Sequence, residues 1–331
     1  MSITIKDVAK EAGVSVATVS RVLNGSCNVS DESTKKVNET IARLNYSPNF
    51  LGRNLRKCET NVILVIMPTS EHSLYSKIVM GMQDYAEQVG YDIITAVSYS
   101  TSTAETRQMN MLFNRTVDGV ILLGTQYDAD SLNKLAENYN VALCCEGVKG
   151  ANVLTVAVDD EQAAFDAVAA LIKKGHKRIG FIGTNSSAIS STARENGYIR
   201  ALKEYGIEIK NEYIYKESYD YDCGGRAFEY FNALAEKPTA IFAVSDLLAI
   251  SAMHKAIDMG IDVGKDVAIM GFDNISMCEW IIPTLSTVEQ PCSKMGELVV
   301  AKLIENMNKT TKDNHYYTVD HRIILRESTG D

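Results

Sequence analysis

No apolar run in this sequence approaches the ~20 residues that a helix needs to cross a hydrocarbon core. The opening "MSITIKDVAK" lacks the apolar stretch of a secretory leader, so the sequence predicts a chain that stays in the cytoplasm, away from membranes. Seven cysteines stand at 27, 58, 144, 145, 223, 278 and 292, yet none makes a C-x-x-C pair and no histidine lies at ligand spacing. That argues against a zinc site. An odd, unframed set of thiols suits a reducing compartment, where they serve as small buried apolar groups. Catalytic signatures are missing too. There is no G-x-x-x-x-G-K-[ST], no G-x-G-x-x-G after a strand and no G-x-S-x-G. The five histidines are scattered, and His176 in "KKGHKRIG" reads as a structural residue near a turn. The pair Asp159–Asp160 has no partner carboxylate at glycosidase-like spacing. These absences point away from an enzyme and call for no cofactor.

What remains is ordinary in amount and uneven in layout. With 331 residues, 46% hydrophobic and 23% charged, the chain has material for two or three well-packed domains. Its net charge of −9 hides an asymmetry. Residues 1–60 hold nine Lys/Arg against six Asp/Glu, or +3, which leaves −12 for the remainder. A basic head on an acidic body suggests that only the head meets a polyanion.

The head reads as three short helices. Thr4 can cap the first, with Asp7 three residues on as in a capping box, and Ile5, Val8, Ala9 and Ala12 form its apolar stripe. Gly13 ends it. Ser15 caps a second helix running to about Asn24, with Val19, Val22 and Leu23 inward. A third, over about 31–44, repeats the face with Thr34, Val37, Ile41 and Leu44. Two helices joined by a short turn around a glycine form a helix-turn-helix, whose second helix enters the major groove. Its outward early positions are Val16, Ala17 and Ser20, with Arg21 a turn later. Val16 and Ala17 can offer methyl contacts, Arg21 can bond two acceptors of a guanine, and Thr18, Ser20 and Asn24 suit phosphates or bases. Next, "NYSPNFLGRNLRKCET" predicts a marginal helix over Asn49 to Arg56, weakened by Gly52. It mixes Phe50, Leu51 and Leu55 with Arg53, Arg56 and Lys57, so DNA and a second copy could cover its apolar face.

"TIKDVAKEAGVSVATVSRVLNG" followed by "VNETIARLNYSPN" resembles the head of LacI/GalR-type transcription regulators over nearly 60 residues. The resemblance implies a homodimer whose two heads read a pseudo-palindromic operator in double-stranded DNA. It implies a hinge helix that orders on DNA and pushes a leucine into the central base step. Leu55 falls at that leucine, and Gly52 stands where the family usually has Ala. The base-reading pair falls on Val16 and Ala17, with Arg21 the third reader.

From residue 61 the period changes. Short apolar runs such as "NVILVIM", "DGVILLG", "RIGFIG", "AIFAVS" and "DVAIMGFD" alternate with helical patterns. Runs that are apolar on both faces and split by helices mean buried parallel strands, here in two βαβ series and so two doubly wound lobes. Ligands in such sheets bind off the carboxyl ends of the strands. The polar groups there include Thr69, Ser70, Ser98, Thr125, Glu146, Asp160, Tyr219, Ser245 and Asp273, with Tyr75 on the helix after the first strand. Hydroxyls, amides and carboxylates suit a polyhydroxyl ligand. Asp160 and Asp246 read as helix caps.

Through "DDEQAAFDAVAALIKKGHKRIGFIG", "ENGYIRAL", "KPTAIFAVSD" and "MGFDNISMCEWIIPTLSTVEQP" the resemblance to the same family continues to the C-terminus. The implied fold class is α/β: a small all-α helix-turn-helix head plus a two-lobed periplasmic-binding-protein-like body of parallel doubly wound sheets. The expected domains are a head over 1–45, a hinge over 46–60 and a body over 61–331. Its N-lobe takes 61–160 and 292–320, and its C-lobe 161–291 and 321–331, with three crossovers. The resemblance places the effector on Arg194 and Asp273, while Ser245 stands where sugar-responsive members often have Asn. Stretches such as "EKPTAIFAVSD" and "ENMNK" are similar to the catabolite-control branch, whose corepressor is seryl-phosphorylated HPr. Lys302 then falls on the partner-facing helix. Seryl-phosphorylated HPr and a sugar or sugar-phosphate inducer both stay open as effectors of a regulator of carbon metabolism.

Overall fold

The computed structural model describes residues 3–23, 29–46, 59–186, 188–309 and 312–331, in two compact units split between Glu59 and Thr60. The smaller unit holds α1 (Ile5–Ala12), α2 (Val16–Leu23) and α3 (Asp31–Leu44). Local chemistry sets each boundary. The Asp7 carboxylate accepts from both the Thr4 N–H, at 2.8 Å, and the Thr4 hydroxyl, at 2.7 Å. Gly13 closes α1 at φ 67°, a conformation that costs glycine little. The Ser15 hydroxyl accepts the Thr18 N–H at 3.1 Å and starts α2. Val8, Ala9, Val19 and Val37 are buried at the centre, with Ile5, Ala12, Val22, Leu23, Ile41 and Leu44 packed around them. Asn24 and the predicted hinge helix, with Asn49, Gly52 and Leu55, lie outside the described residues.

The larger unit is built on two six-stranded sheets. The first contains β1 (Val62–Met67), β2 (Asp92–Val97), β3 (Gly119–Leu122), β4 (Val141–Cys144), β5 (Leu154–Ala157) and β11 (Tyr316–Thr318), in the order β11-β5-β4-β3-β1-β2, all parallel. The second contains β6 (Ile179–Thr184), β7 (Ile214–Glu217), β8 (Ala240–Ala243), β9 (Ala268–Asp273), β10 (Ser286–Glu289) and β12 (Arg322–Ile324), in the order β12-β10-β9-β8-β6-β7. Central strands are buried along their whole length because helices cover both faces, whereas the edge strands β2 and β7 are partly exposed. One strand departs from the all-parallel expectation: β12 runs antiparallel to β10. It follows β11 of the first sheet after only a few residues, so the chain enters the edge of the second sheet straight from a crossover between the lobes.

The helices after α3 are α4 (Ser73–Val89), α5 (Ser102–Phe113), α6 (Ala129–Asn138), α7 (Asp160–Lys173), α8 (Ile189–Glu204), α9 (Tyr221–Ala233), α10 (Asp246–Asp258), α11 (Met277–Trp280) and α12 (Cys292–Met307). The chain passes between sheets after β5, β10 and β11. Glycines let neighbouring helices approach backbone to backbone. A Cβ on Gly296 of α12 would stand 2.2 Å from the Ile78 carbonyl oxygen of α4, and one on Gly224 of α9 would stand 2.1 Å from the Leu248 carbonyl oxygen of α10. No described helix is long and apolar enough to cross a membrane.

Candidate DNA-reading helix and ligand cleft

In the small unit, Val8, Ala9 and Val19 hold α2 against α1, so its opposite face is free to read. Val16 is 41% exposed, Ala17 and Arg21 are exposed, and Thr18 and Ser20 are half-buried. Ser15 and Thr18 also bond each other's hydroxyls at 2.9 Å, which fixes the first turn. The helix therefore presents two methyl-bearing positions and one guanidinium, a set able to touch thymine methyls and guanine acceptors. Thr4 spends its hydroxyl on the α1 cap.

In the large unit, the carboxyl ends of both sheets meet at a cleft organised around Arg194 of α8. Its Nε donates to Asp160 Oδ1 at 2.8 Å, its Nη1 to the Val244 carbonyl at 2.6 Å, and Nη1 lies 3.5 Å from Asp273 Oδ1. The guanidinium also lies 3.6 Å over the Phe272 ring centroid. Burial works against this charge, but Asp160 and Asp273 outweigh it and raise the Arg194 pKa. Asp273 is buried at the end of β9 and accepts from Gln290 Nε2 at 2.7 Å. Burial raises its carboxyl, with the Arg194 charge pulling the other way. The backbone here is strained: Asp273 has φ 117° and Asn274 φ 52°. Non-glycine residues hold such angles only where the surroundings over-determine them, as at ligand sites. Asn274 is pinned by Arg326 at 3.1 Å and Glu289 at 3.2 Å.

Several contacts among the described residues join the two lobes across the cleft. His72 Nε2 meets the Tyr219 hydroxyl at 2.8 Å, Lys77 Nζ donates to the Asn274 carbonyl at 2.7 Å, and Ser190 N–H donates to Glu146 Oε1 at 3.2 Å. The Tyr75 ring lies 5.4 Å from the His72 ring, and burial raises its phenol, with Cys145, Glu146, Tyr219 and Asp273 adding to it. Beside Glu146 lies a cavity of about 210 Å³, bounded by Asp159, Asp160, Ser190, Ala193, Tyr316 and Thr318 among others.

The signature of bacterial regulatory proteins of the lacI family matches residues 4–49, and that of the periplasmic binding protein-like domain matches residues 168–329. Catabolite control protein A of Priestia megaterium is 38% identical over 331 residues, spanning 99% of this chain and all of that protein. The chain belongs to the LacI family. It is a DNA-binding transcription regulator by that membership, with a ligand-binding body. Among solved LacI-family structures, the transcriptional regulator CelR in complex with cellobiose is 27% identical, with a TM-score of 0.74, over 98% of this chain and 99% of that one. The lac repressor dimer bound to operator and an anti-inducer, at 24% identity, shares the fold with a TM-score of 0.90 over 99% of both chains.

Of the residues named for the effector, Tyr75, Glu146, Asp160, Arg194, Tyr219 and Asp273 lie along one cleft. The fully buried Ser245 caps α10 through the Leu248 N–H at 3.4 Å. The others serve their own loops. Thr69 accepts the Glu71 N–H at 3.1 Å, Ser98 bonds the Met67 carbonyl at 3.4 Å, Ser70 is exposed, and Thr125 is held by the buried Glu105 at 2.5 Å. The expected caps shift by one residue. Asp159, not Asp160, caps α7, and Ser245, not Asp246, caps α10. The displaced carboxylates turn inward, Asp160 to Arg194 and Asp246 to Thr287 at 2.5 Å. His72, Lys77 and Gln290 escaped the sequence reading. The one signal for His72 was its place before the helix after β1, where its ring caps Leu74. A larger cavity, of about 350 Å³, is lined by Arg178, Phe231 and Thr239 among others at the amino ends of β6 and β8. Of the two, the smaller lies at the carboxyl ends of the strands, where doubly wound sheets bind ligands. Lys302 is tied to Glu305 at 3.0 Å and lies 5.5 Å from the Tyr317 ring centroid.

Proposed function

We propose that the protein is a cytoplasmic homodimeric repressor of carbon or sugar metabolism genes, which acts by binding rather than by catalysis. The observation that carries this is the pairing, in one chain, of an exposed Val16–Ala17–Arg21 reading face with a two-lobed cleft centred on Arg194 and Asp273. Two heads read a pseudo-palindromic operator. Ser15, Thr18, Ser20 and Asn24 bond phosphates and sugars, and Val16, Ala17 and Arg21 meet base edges. The hinge over Asn49–Arg56 folds on bent DNA, and Leu55 enters the central base step. Cleft occupancy changes how the two bodies face each other and so the spacing of the hinges, a coupling of typically ~1–3 kcal/mol.

The full-length identity to catabolite control protein A favours a second controller, seryl-phosphorylated HPr docking on α12. Its phosphate would have to displace Glu305 from Lys302. A titration on a labelled pseudo-palindrome, with phosphorylated HPr, sugars and sugar phosphates in separate arms, tests both. Tighter binding with phosphorylated HPr alone supports the second controller, and a change with a small molecule alone supports the cleft. Leu55→Ala should weaken operator binding at least ten-fold without moving the body's melting temperature. Unchanged operator affinity would remove the wedge.

A further inference from the structure

We infer that the cleft takes a small ligand carrying a protonated amine, with Glu146 and Asp159 as the counter-ions of its ammonium group. This rests on reading the cleft as the effector site and names the chemistry of that effector. The site exists because a cavity of about 210 Å³ lies at the carboxyl ends of the strands, with walls from both lobes. The carboxylates decide what charge it accepts.

Glu146, Asp159, Asp160 and Glu161 line the cavity, and among the described residues no Lys, Arg or His lines it. The two cations behind the wall are already engaged. Arg194 pairs with Asp160 at 2.8 Å, and Arg200 pairs with Glu161 at 2.6 Å. Among the described residues, Glu146 and Asp159 have no basic partner. Their bonds come from neutral donors: Ser190 N–H and hydroxyl to Glu146 at 3.2 and 3.4 Å, and the Gln162 N–H to Asp159 at 2.9 Å. The Tyr316 phenol reports the same field. Burial raises it first, and then Asp160, Asp159 and Glu146. A phosphate placed here would face these carboxylates, and the Gln162 and Ser190 N–H groups that could offset them are already given to Asp159 and Glu146. An ammonium group, with three donors, matches two carboxylates and a hydroxyl. The hydroxyls of Ser190, Tyr316 and Thr318 then suit hydroxyls on the same ligand. The volume equals that of roughly seven waters, which fits a single-ring amino sugar or a short amino polyol.

The test is calorimetry and thermal unfolding of the full-length chain with glucosamine, galactosamine and mannosamine. Each is matched against its neutral parent, its N-acetyl derivative and its 6-phosphate. At least one amine should raise the melting temperature and bind ten-fold or more tighter than its three matched forms. Glu146→Gln and Asp159→Asn, the latter keeping a capping side chain, should each remove most of that preference with an unchanged circular dichroism spectrum. If a neutral or phosphorylated form binds as well as the amine, the inferred ligand charge is wrong while the effector cleft stands. Amine preference that survives both substitutions overturns the assignment of the counter-ions. Binding by no member of the panel overturns both the amine and the effector cleft.

Discussion

His72 and Tyr219 touch across the cleft, the imidazole Nε2 2.8 Å from the phenol oxygen, one at the start of α4 and the other after β7. Nδ1 accepts the Leu74 N–H, so Nε2 carries the proton and donates to Tyr219. Together with Lys77 to Asn274, this contact holds the two sheets' carboxyl ends together. A hydrogen bond of this kind contributes a net ~0.5–1.5 kcal/mol. Tyr219→Phe should therefore lower affinity for any ligand that binds the closed cleft by ~2–10-fold, with little loss of thermal stability. Unaltered ligand affinity in calorimetry would show that the contact does not bias closure.

A second prediction concerns α4 and α12, which meet where Gly296 packs on the Ile78 carbonyl. An added Cβ at 2.2 Å from a backbone oxygen has no flexible neighbour to push aside, so the helices must part. Gly296→Ala should cost ~1–3 kcal/mol or more, against a modest helix-propensity gain. Gly225→Ala is the control, since its Cβ would meet Ser251 Oγ at an ordinary 3.4 Å. Denaturant melts of both variants decide it, and equal midpoints would mean that the α4–α12 interface yields easily.

The fold class was legible because local signals agreed with one another. Caps at Thr4, Ser15 and Gly13, a 3.6-residue period in the head and unbroken apolar runs in the body all pointed one way. Short strands were harder: β5 and β10 are four residues each, and β12 takes its direction from a connection rather than from its own residues. Capping was misread by one position at Asp160 and Asp246, because an acidic pair and a Ser-Asp pair each offer two candidates and only packing chooses between them. In the cleft, Arg194 came from the resemblance alone, and Asp273 from its strand end and the resemblance together. His72 and Lys77 were invisible because their partners lie 147 and 197 residues away, brought near by crossovers that no local pattern encodes, and Gln290 meets Asp273 only through the pairing of β9 with β10.

Asp246 supplies a pH dependence. Burial, then the neighbouring Asp273 charge, push its carboxyl up to about 7 from an ordinary 3.8. Between those values the folded chain holds a proton that the unfolded chain has lost, so this group lowers stability as pH rises toward 7 and adds no further loss above it. Asp246→Asn mimics the protonated form. Its amide nitrogen can face the Thr287 hydroxyl while its oxygen keeps the Ile275 N–H. The variant should flatten the fall in melting temperature between pH 5 and 7. A parallel fall in both proteins would place the titration elsewhere.

The last prediction separates base reading from charge. Arg21 is exposed on α2, a turn beyond Val16 and Ala17. If its guanidinium bonds a guanine edge, Arg21→Ala should cost ~1–3 kcal/mol on the preferred operator and almost nothing on an operator changed at that one base pair. If it bonds a phosphate, all sequences weaken alike and the salt dependence of binding falls by about one ion. Val16→Ala and Ala17→Val should instead change discrimination at thymine-bearing positions, because they remove or add only methyl groups and leave the salt slope alone. Binding curves for the three variants on a set of single-base operator changes, at two salt concentrations, distinguish these outcomes. A uniform loss for Arg21→Ala would reassign that residue to the DNA backbone.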